Sequence, residues 1–414
     1  MPSVVRLTRR SNRFLLALTA ATLFATGCKM SEKTPEAAKT DAAPAPAQTS
    51  QINGEDVVKL QRKATDAAKP EFLSATVIPG RGMDLMQITA NIPGKGEIPI
   101  LFAPSIEDAA GKLNGVLPDD LNGNASFKFG GVFLVPYPNR IRGKLSADGK
   151  TITTSWNGKP LTLPANWHGK NAGAEPHAMH GMIMATKADV VNTTTGPDGQ
   201  TVTGIIHAGN FGGYWPSNTD LTITVALTGG AVDATITAKN VGTEPEPMAI
   251  GWHPYFAIPS GDRTQARLHV PGDKLALVNN YDDVFPTGQI VPVKTYEGGK
   301  YDYTAPGGKP LGNSFLDDNF SHLQRTDGKV VVDLADPAAN YGVHIEGLSP
   351  EIKTVQVYAP IDGHQQFTAI EEQYNFGDPF NKKLWKGMDT GMVTLAPGKS
   401  TTWHVRLELF TPGK

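Results

Sequence analysis

Two alternating segments joined by a glycine turn restrict the fold of this chain more than any other feature of its sequence. In Asp220–Leu227, "DLTITVAL", an aliphatic residue occupies every second position, and Ala231–Asn240, "AVDATITAKN", alternates in the same way. Successive side chains of a β-strand point to opposite faces, so this period predicts strands with one face in a core. The intervening "TGG" predicts a tight turn, and the two segments therefore predict an antiparallel β-hairpin.

Further strands are predicted along the rest of the chain. The segment 403–410, "WHVRLELF", alternates as well, and "KVVVDLAD" and "TVQVYAP" have the length and β-branched content of short strands. The chain has 44 glycines and 32 prolines for turns, and 39% of its residues are hydrophobic, which is enough for a large core. The sequence predicts an all-β fold, a large antiparallel β-sandwich, with one short helix over residues 55–68.

The amino terminus has the pattern of an export signal. Arginines precede the apolar run "FLLALTAATLFA", which is too short to span a bilayer, and small residues then lead to Cys28. We expect residues 1–27 to be a lipoprotein-type signal peptide. Cys28 is the only cysteine, so it has no partner for an internal disulfide, and we expect it to carry the lipid. An incidental cysteine at an ordinary secretory cleavage site is the alternative.

Composition and the leader predict how the chain is divided into domains and where in the cell the protein resides. Residues 28–54 lack aromatic residues and are rich in alanine and proline, which predicts a disordered tether, and residues 55–414 are predicted to form the folded domain. We expect a bacterial periplasmic lipoprotein that contacts the membrane only through its anchor, or alternatively a secreted protein. With 38 Lys and Arg against 40 Asp and Glu, the chain is not expected to bind nucleic acid.

Five short stretches hold polar side chains suited to chemistry. They are "PYPNRIRG", "HAMHGM", "GWHPYF", "SFLDDNF" and "FTAIEEQ", and each lies at a predicted strand end or turn. Taken singly, each has a structural explanation, such as a solvated arginine, a turn-capping aspartate or a packed histidine. His177 and His180 are three residues apart, so on a strand they would point to opposite faces, and no metal site is predicted.

Together, and in this order, the five stretches resemble the aldose 1-epimerase, or galactose mutarotase, family over most of residues 71–412. The motifs that match are Asn139-Arg140-Ile141, His180-Gly181, His253-Pro254-Tyr255-Phe256, Asp317 to Phe320, and Glu371 with Gln373. The resemblance implies a galactose mutarotase-like supersandwich. It also implies an isomerase that interconverts the α and β anomers of free hexoses such as glucose or galactose.

The resemblance assigns a role to each matching residue. Glu371 corresponds to the family's catalytic base, His253 to its general acid, and His180 to its second active-site histidine. The positions that correspond to substrate-binding residues are Asn139, Arg140 and Asp317. The resemblance implies a small aldose as the partner. It also implies no cofactor, because ring opening needs only a base and an acid that titrate near neutrality.

Three other functions stay open at the level of the sequence. A glycoside hydrolase on a similar sandwich would use Glu371 and Asp317 as its two carboxylates and would not require His253. A non-catalytic carbohydrate-binding lipoprotein would keep the fold and the hydroxyl-binding residues. An epimerase for hexose 6-phosphates would need a cytoplasmic substrate, whereas the leader indicates export.

Two choices also stay open within the site. Glu372 is the rival of Glu371 for the base, and on a strand the two side chains face opposite sides, so only one can enter a pocket. Trp215 and Trp252 are candidates to stack on the sugar ring, with packing in the core as the alternative for both.

Overall fold

Antiparallel sheets make up most of the regular secondary structure in the chain that the structure describes. The computed structural model describes residues 50–115, 120–361 and 366–413, and β1 to β29 lie within these ranges. The strands up to residue 240 are β1 (Gln51–Ile52), β2 (Glu55–Asp56), β3 (Val58–Gln61), β4 (Glu71–Ile78), β5 (Asp84–Ile92), β6 (Gly96–Pro99), β7 (Gly131–Leu134), β8 (Arg140–Ile141), β9 (Lys144–Leu145), β10 (Thr151–Trp156), β11 (Lys159–Pro164), β12 (Ala178–Met179), β13 (Val190–Thr195), β14 (Gly199–Gly209), β15 (Thr219–Thr228) and β16 (Ala231–Asn240).

The remaining strands complete the sheets. They are β17 (Glu246–Met248), β18 (Gly251–Ala257), β19 (Arg267–His269), β20 (Gly272–Val278), β21 (Pro286–Pro292), β22 (Lys309–Pro310), β23 (Leu316–Leu323), β24 (Val330–Asp336), β25 (Tyr341–Gly347), β26 (Thr354–Ala359), β27 (Phe367–Gln373), β28 (Val393–Leu395) and β29 (Ser400–Phe410). The helical elements of the described residues are α1 (Ile106–Lys112) and the 3₁₀ helices Pro79–Arg81, Leu121–Lys128, Phe211–Gly213, Tyr296–Gly299 and Pro337–Ala339.

The start of the folded region differs from the prediction. Residues 55–68 do not form a helix: β2 and β3 lie there, and β3 pairs with β4, so tertiary pairing overrides the local helical preference. The predicted tether also ends early, because β1 pairs with β2 and Ile52 is buried. The signal peptide, Cys28 and most of the tether lie outside the described residues and stay predictions. In the described chain, no helix is long and apolar enough to cross a membrane.

The predicted hairpin forms the middle of a nine-stranded sheet. The strand order is β13-β14-β15-β16-β29-β25-β24-β19-β22, with β15 and β16 adjacent as predicted. Along β15, the aliphatic residues Leu221, Ile223, Val225 and Leu227 are fully buried, while the residues between them are not. The period-2 pattern of the sequence therefore defines the face that meets the core.

A seven-stranded sheet packs on that face. Its strand order is β21-β20-β23-β26-β27-β18-β7. Trp403 of β29 contacts Trp252 of β18 and Phe133 of β7, at ring-centroid distances of 6.4 Å and 6.2 Å. The two inner faces thus interdigitate as a sandwich, which confirms the predicted fold class.

The inner strands of the seven-stranded sheet are buried on both faces. Every residue of β18 and of β27 is buried, and β27 carries polar side chains on both of its faces. One face supplies Trp252 and Ile370 to the core. The opposite face carries His253 and Glu371, and a second layer of loops covers it. This covered polar face is where a site can form without exposing the core.

Candidate active site

A cavity of about 640 Å³ lies over the polar face of the seven-stranded sheet. The pairing of β23, β26 and β27 places Asn319, Gln356 and Glu371 side by side, because their Cα atoms are register partners. Two residues away along the strands, Asp317 and Tyr358 are paired in the same way. Residues two apart on a strand share a face, so the sheet aims this whole block of side chains at one space.

All six residues assigned from the sequence converge on this cavity. They are Asn139, Arg140, His180, His253, Asp317 and Glu371. They come from segments that are far apart in the chain, and β8, β18, β23 and β27, together with the turn after β12, bring them together. The five motifs therefore mark one place in the fold.

Glu371 and His253 form the closest acid–base pair of the cavity. The distance between His253 Nε2 and Glu371 Oε1 is 3.3 Å. The other carboxylate oxygen, Oε2, accepts a hydrogen bond of 2.6 Å from Gln373 Nε2. This bond fixes the carboxylate so that one oxygen faces the histidine.

Burial shifts the pKa values of this pair in opposite directions. The pKa of Glu371 lies well above its usual value, mainly because of burial and also because Asp317 repels the ionised form. Burial lowers the pKa of His253 to about 4. Each group therefore favours its neutral form when alone in this environment.

His180 reaches the cavity from a sharp bend after β12. Its backbone has φ of 60°, and its N–H donates a hydrogen bond of 3.0 Å to the carbonyl of Asn139. Gly181 follows with φ of 76° and lies against the backbone of Val135, where a Cβ atom would clash. Gly181 of the motif is thus needed for the turn itself.

The ring of His180 stands edge-on to that of His253. Their centroids are 5.1 Å apart and the planes cross at 88°. Burial, and then repulsion by His253 and Arg140, hold the pKa of His180 well below its usual value. A neutral His180 can donate or accept a hydrogen bond within the cavity.

Gln356 connects the remaining polar groups. Its Nε2 donates a hydrogen bond of 2.7 Å to Asp317 Oδ1, and its Oε1 accepts from Asn139 Nδ2 at 3.2 Å and from Asn319 Nδ2 at 3.1 Å. Arg140 Nη2 lies 3.7 Å from Asp317 Oδ2. Burial raises the pKa of Asp317, and Arg140 opposes that rise. The result is a fixed array of donors and acceptors beside the acid–base pair.

The structure decides the choice between the two glutamates. Glu372 is buried on the opposite face of β27, and it does not line the cavity. Its backbone carbonyl accepts a hydrogen bond from Trp403 Nε1, on the core side. Burial raises the pKa of Glu372 well above its usual value. Only Glu371 is available to a ligand.

Neither tryptophan proposed from the sequence contacts the cavity. Trp215 packs beside Tyr137 and Phe211, and Trp252 packs beside Trp403, so both are core residues. The aromatic residues that do line the cavity are Phe127, Trp167, Tyr255, Tyr281, Phe315 and Tyr358. Of these, Tyr255 and Phe315 belong to the polar stretches quoted from the sequence, and Tyr358 belongs to the predicted strand "TVQVYAP".

His177, which the sequence analysis considered together with His180, lies outside the cavity. His177 packs against Phe285 and does not line the cavity. In the ranges that the structure describes, no group of three or more His, Cys, Asp or Glu side chains could hold a metal ion.

Comparisons with known proteins identify the family and the fold of the chain. Residues 116–408 match the family described as aldose 1-epimerase. No curated protein sequence matches the chain. Among solved structures, a galactose mutarotase-like protein from Clostridium acetobutylicum is 20% identical, with a TM-score of 0.64, and the match covers 86% of this chain and 98% of that one.

Two further structures are similar. An aldose epimerase homologue from C. elegans is 18% identical with a TM-score of 0.60, and the match covers 82% of this chain and 95% of that one. The galactose 1-epimerase from Lactobacillus acidophilus NCFM is 15% identical with a TM-score of 0.58, covering 86% and 98%. At these identities the structural matches establish the shared fold.

Proposed function

Because the chain belongs to the aldose 1-epimerase family, we propose that it interconverts the α and β anomers of free hexoses such as glucose or galactose by opening and closing the sugar ring. Family membership supports an isomerase of the epimerase type that acts on a small sugar. The choice of hexose and the roles of individual residues are part of the proposal.

The observation that carries the proposal is the pair formed by Glu371 and His253. Anomer interconversion needs one group that removes the proton of O1 and another that protonates the ring oxygen. The two side chains lie 3.3 Å apart at their nearest atoms, both buried, on neighbouring strands of a rigid sheet. A base and an acid this close together can reach O1 and the ring oxygen of one sugar, because both oxygens are bonded to C1.

The pair contains one exchangeable proton in the range between its two pKa values. In one arrangement the proton is on Glu371 and His253 is neutral; in the other, Glu371 is a carboxylate and His253 an imidazolium. The ionised arrangement starts the reaction. Glu371 takes the proton from O1 and His253 gives its proton to the ring oxygen, while the C1 to ring-oxygen bond breaks and a C1=O1 double bond forms.

Ring closure reverses these steps after rotation about the C1–C2 bond. The neutral arrangement of the pair, which is present in the open-chain state, takes a proton from the C5 hydroxyl with His253 and returns one to O1 from Glu371. No proton is gained or lost overall, and the reaction as proposed draws on protein groups alone.

The surrounding polar array would hold the sugar in place. Arg140 can donate to a hydroxyl oxygen, and the carboxylate of Asp317 can accept from a neighbouring hydroxyl. His180, at right angles to His253, is placed to bond another hydroxyl near the acid. Such positioning lowers the barrier by keeping the reacting atoms aligned.

The test is to follow freshly dissolved α-D-glucose and α-D-galactose to anomeric equilibrium by polarimetry or proton NMR, using the full chain. We expect acceleration over the spontaneous rate, with Glu371→Gln and His253→Asn each losing about 10²- to 10⁴-fold in kcat. Glu346→Gln is the matched control, because Glu346 is also buried and bonded, to Lys329, but lies in the nine-stranded sheet.

The same variants separate the other functions. Full retention of activity in His253→Asn would argue for chemistry that uses only the two carboxylates. Sugar binding without any turnover in the wild-type protein would indicate a carbohydrate-binding protein, and the epimerase proposal would then be wrong.

A further inference from the structure

The cavity is larger than one hexose requires. A hexopyranose occupies on the order of 200 Å³, scaled from the ~30 Å³ that each water takes in the liquid. The cavity measures about 640 Å³, and its lining includes both the buried acid–base pair and exposed residues such as Lys170 and Tyr281. Space for additional ligand atoms therefore lies between the hexose position and solvent.

The inner and outer parts of the cavity differ in chemistry. The inner part holds the acid–base pair and the amide, carboxylate and arginine groups described above, while Lys128, His168, Lys170 and Asp282 also line the cavity. Phe127 marks the border, since its ring lies 5.4 Å from His180 and 5.1 Å from Trp167, which is further out. On the facing wall, Phe315 lies 6.0 Å from Tyr358 and 4.9 Å from Tyr281. The outer part is thus walled by aromatic rings.

These rings are arranged so that they do not cover one another. Trp167 meets Phe127 at 75°, Phe315 meets Tyr358 at 81°, and Tyr281 meets Phe315 at 57°. Rings that meet steeply do not stack, and Tyr281 keeps 40% of its surface exposed. The C–H faces of a sugar ring pack well on the electron-rich face of an aromatic ring.

The two aromatic walls are tied together. Asp282, next to Tyr281, accepts hydrogen bonds from the backbone N–H groups of Lys170 at 2.7 Å and Asn171 at 3.0 Å. The loop that follows Trp167 is therefore fixed to the turn that carries Tyr281. A site that is already ordered loses little entropy when a ligand binds.

We propose that the outer, aromatic part of the cavity is a binding site for a second glycosyl residue, and that the enzyme acts preferentially on the reducing end of a neutral oligosaccharide. This inference rests on the proposed function. The reducing sugar places C1 between Glu371 and His253, and the next residue, joined at a carbon remote from C1, lies between Trp167 and Tyr281.

The experiment compares kcat/KM for mutarotation of glucose, maltotriose and cellotriose by the full chain, with the reducing-end anomeric protons followed by NMR. We expect at least one trisaccharide to exceed glucose by about tenfold, mainly through a lower KM. Trp167→Ala and Tyr281→Ala should each lower the trisaccharide-to-glucose ratio by about threefold to tenfold. The matched control is Trp156→Ala, because Trp156 is also partly buried but lies on β10 away from the cavity.

Two results would overturn the inference while leaving the epimerase proposal intact. One is a trisaccharide-to-glucose ratio near one in the wild-type protein. The other is a high trisaccharide-to-glucose ratio that neither Trp167→Ala nor Tyr281→Ala changes. If no sugar is turned over at all, calorimetric binding of glucose and the trisaccharides still decides the matter: equal affinities for all three would rule out the outer site.

Discussion

The single proton of the Glu371–His253 pair determines the pH range of the proposed reaction. Burial lowers the pKa of His253 to about 4 and raises that of Glu371 well above its usual value. Below the lower pKa both groups are protonated and Glu371 cannot accept the proton of O1. Above the higher pKa the proton is lost and His253 has nothing to donate.

We therefore expect a bell-shaped dependence of kcat/KM on pH, with an acid limb near 4 and an alkaline limb at the raised pKa of Glu371. In His253→Asn the residual activity should instead rise through the pKa of Glu371 and stay high, since only the base then titrates. Mutarotation rates across pH, corrected for spontaneous reaction in each buffer, test both shapes. An unchanged bell in the variant would show that another group supplies the acid.

Single residues were predictable from the sequence where a motif fixed them, and not elsewhere. His253 and Glu371 could be identified because short motifs surround them. Gln356 could not, since "TVQVYAP" looks like an ordinary strand, and its importance arises only from the register that places it beside Asn319 and Glu371. The one signal is a buried amide within an apolar strand, which requires partners.

At the scale of elements, the sequence predicted strands whose pattern is local, but not strands that form only by pairing with a distant segment. The hairpin of β15 and β16 has its period and its turn in one stretch, so it was predictable. Residues 55–68 have no such stretch of alternation, and β3 forms there because β4 is available to pair with it. Trp167, Tyr281 and Phe315, which form much of the aromatic wall of the cavity, lie outside the named strands, where sequence periodicity does not place side chains.

One short segment after β27 supports the loop that carries Arg140. Asn375 Nδ2 donates to the carbonyl of Pro138 at 3.1 Å, and the N–H of Asp378 donates to the carbonyl of Arg140 at 2.6 Å. Asp378 Oδ1 in turn accepts from the N–H of Arg142 at 3.0 Å. The strand that supplies Glu371 thus also fixes Arg140, for which we propose a role in substrate binding, through the chain that follows it.

Asn375→Ala should weaken this support and raise KM for hexoses by roughly threefold to tenfold, because a buried carbonyl loses its donor and Arg140 is less well placed. The position of the acid limb should stay the same, since the acid–base pair is untouched. Asn240→Ala is the matched control: Asn240 is equally buried and donates through Nδ2 to two carbonyls, but far from the cavity. Equal KM changes in both variants would point to general destabilisation.

At the scale of the whole molecule, residues that precede the family-matched region help to build the cavity. Arg81 is fully buried, donates to Asp120 Oδ1 at 2.6 Å, and bonds Ser126 Oγ through Nε and Nη2. Ser126 lies in the 3₁₀ helix that ends with Phe127 and Lys128, both of which line the cavity. The four-stranded sheet β3-β4-β5-β6 is therefore part of the support of the site.

Asp84 lies at the start of β5, beside Arg81, and it makes the stability of this part of the fold depend on pH. Burial raises its pKa from 3.8 to about 8. The folded state therefore holds a proton that the unfolded chain releases at lower pH, so the contribution of Asp84 to stability is complete below the unfolded pKa and is lost as pH rises through about 8. A salt-bridged carboxylate shows the opposite behaviour, since its contribution to stability is lost as pH falls. Glu246 and Asp318, whose pKa values are each raised to about 7, change stability with pH in the same direction as Asp84.

We expect Asp84 to lower the free energy of unfolding as pH rises from 3.8 towards 8, by at most about 1.4 kcal/mol per pH unit. Glu71, whose pKa is lowered to about 2, and His177 and His253, whose pKa values are lowered to about 4, act in the opposite direction at acidic pH. Asp84→Asn keeps the shape but cannot ionise, so its denaturant midpoint should fall less steeply with pH, while the slope due to Glu246 and Asp318 remains. Asp198→Asn, an exposed turn position, should match the wild-type protein. An equal change of the denaturant midpoint with pH in all three proteins would mean that Asp84 is already ionised in the folded state, with Arg81 as its counter-ion. The contacts of Arg81 with Asp120 and Ser126 would then support the cavity equally at every pH.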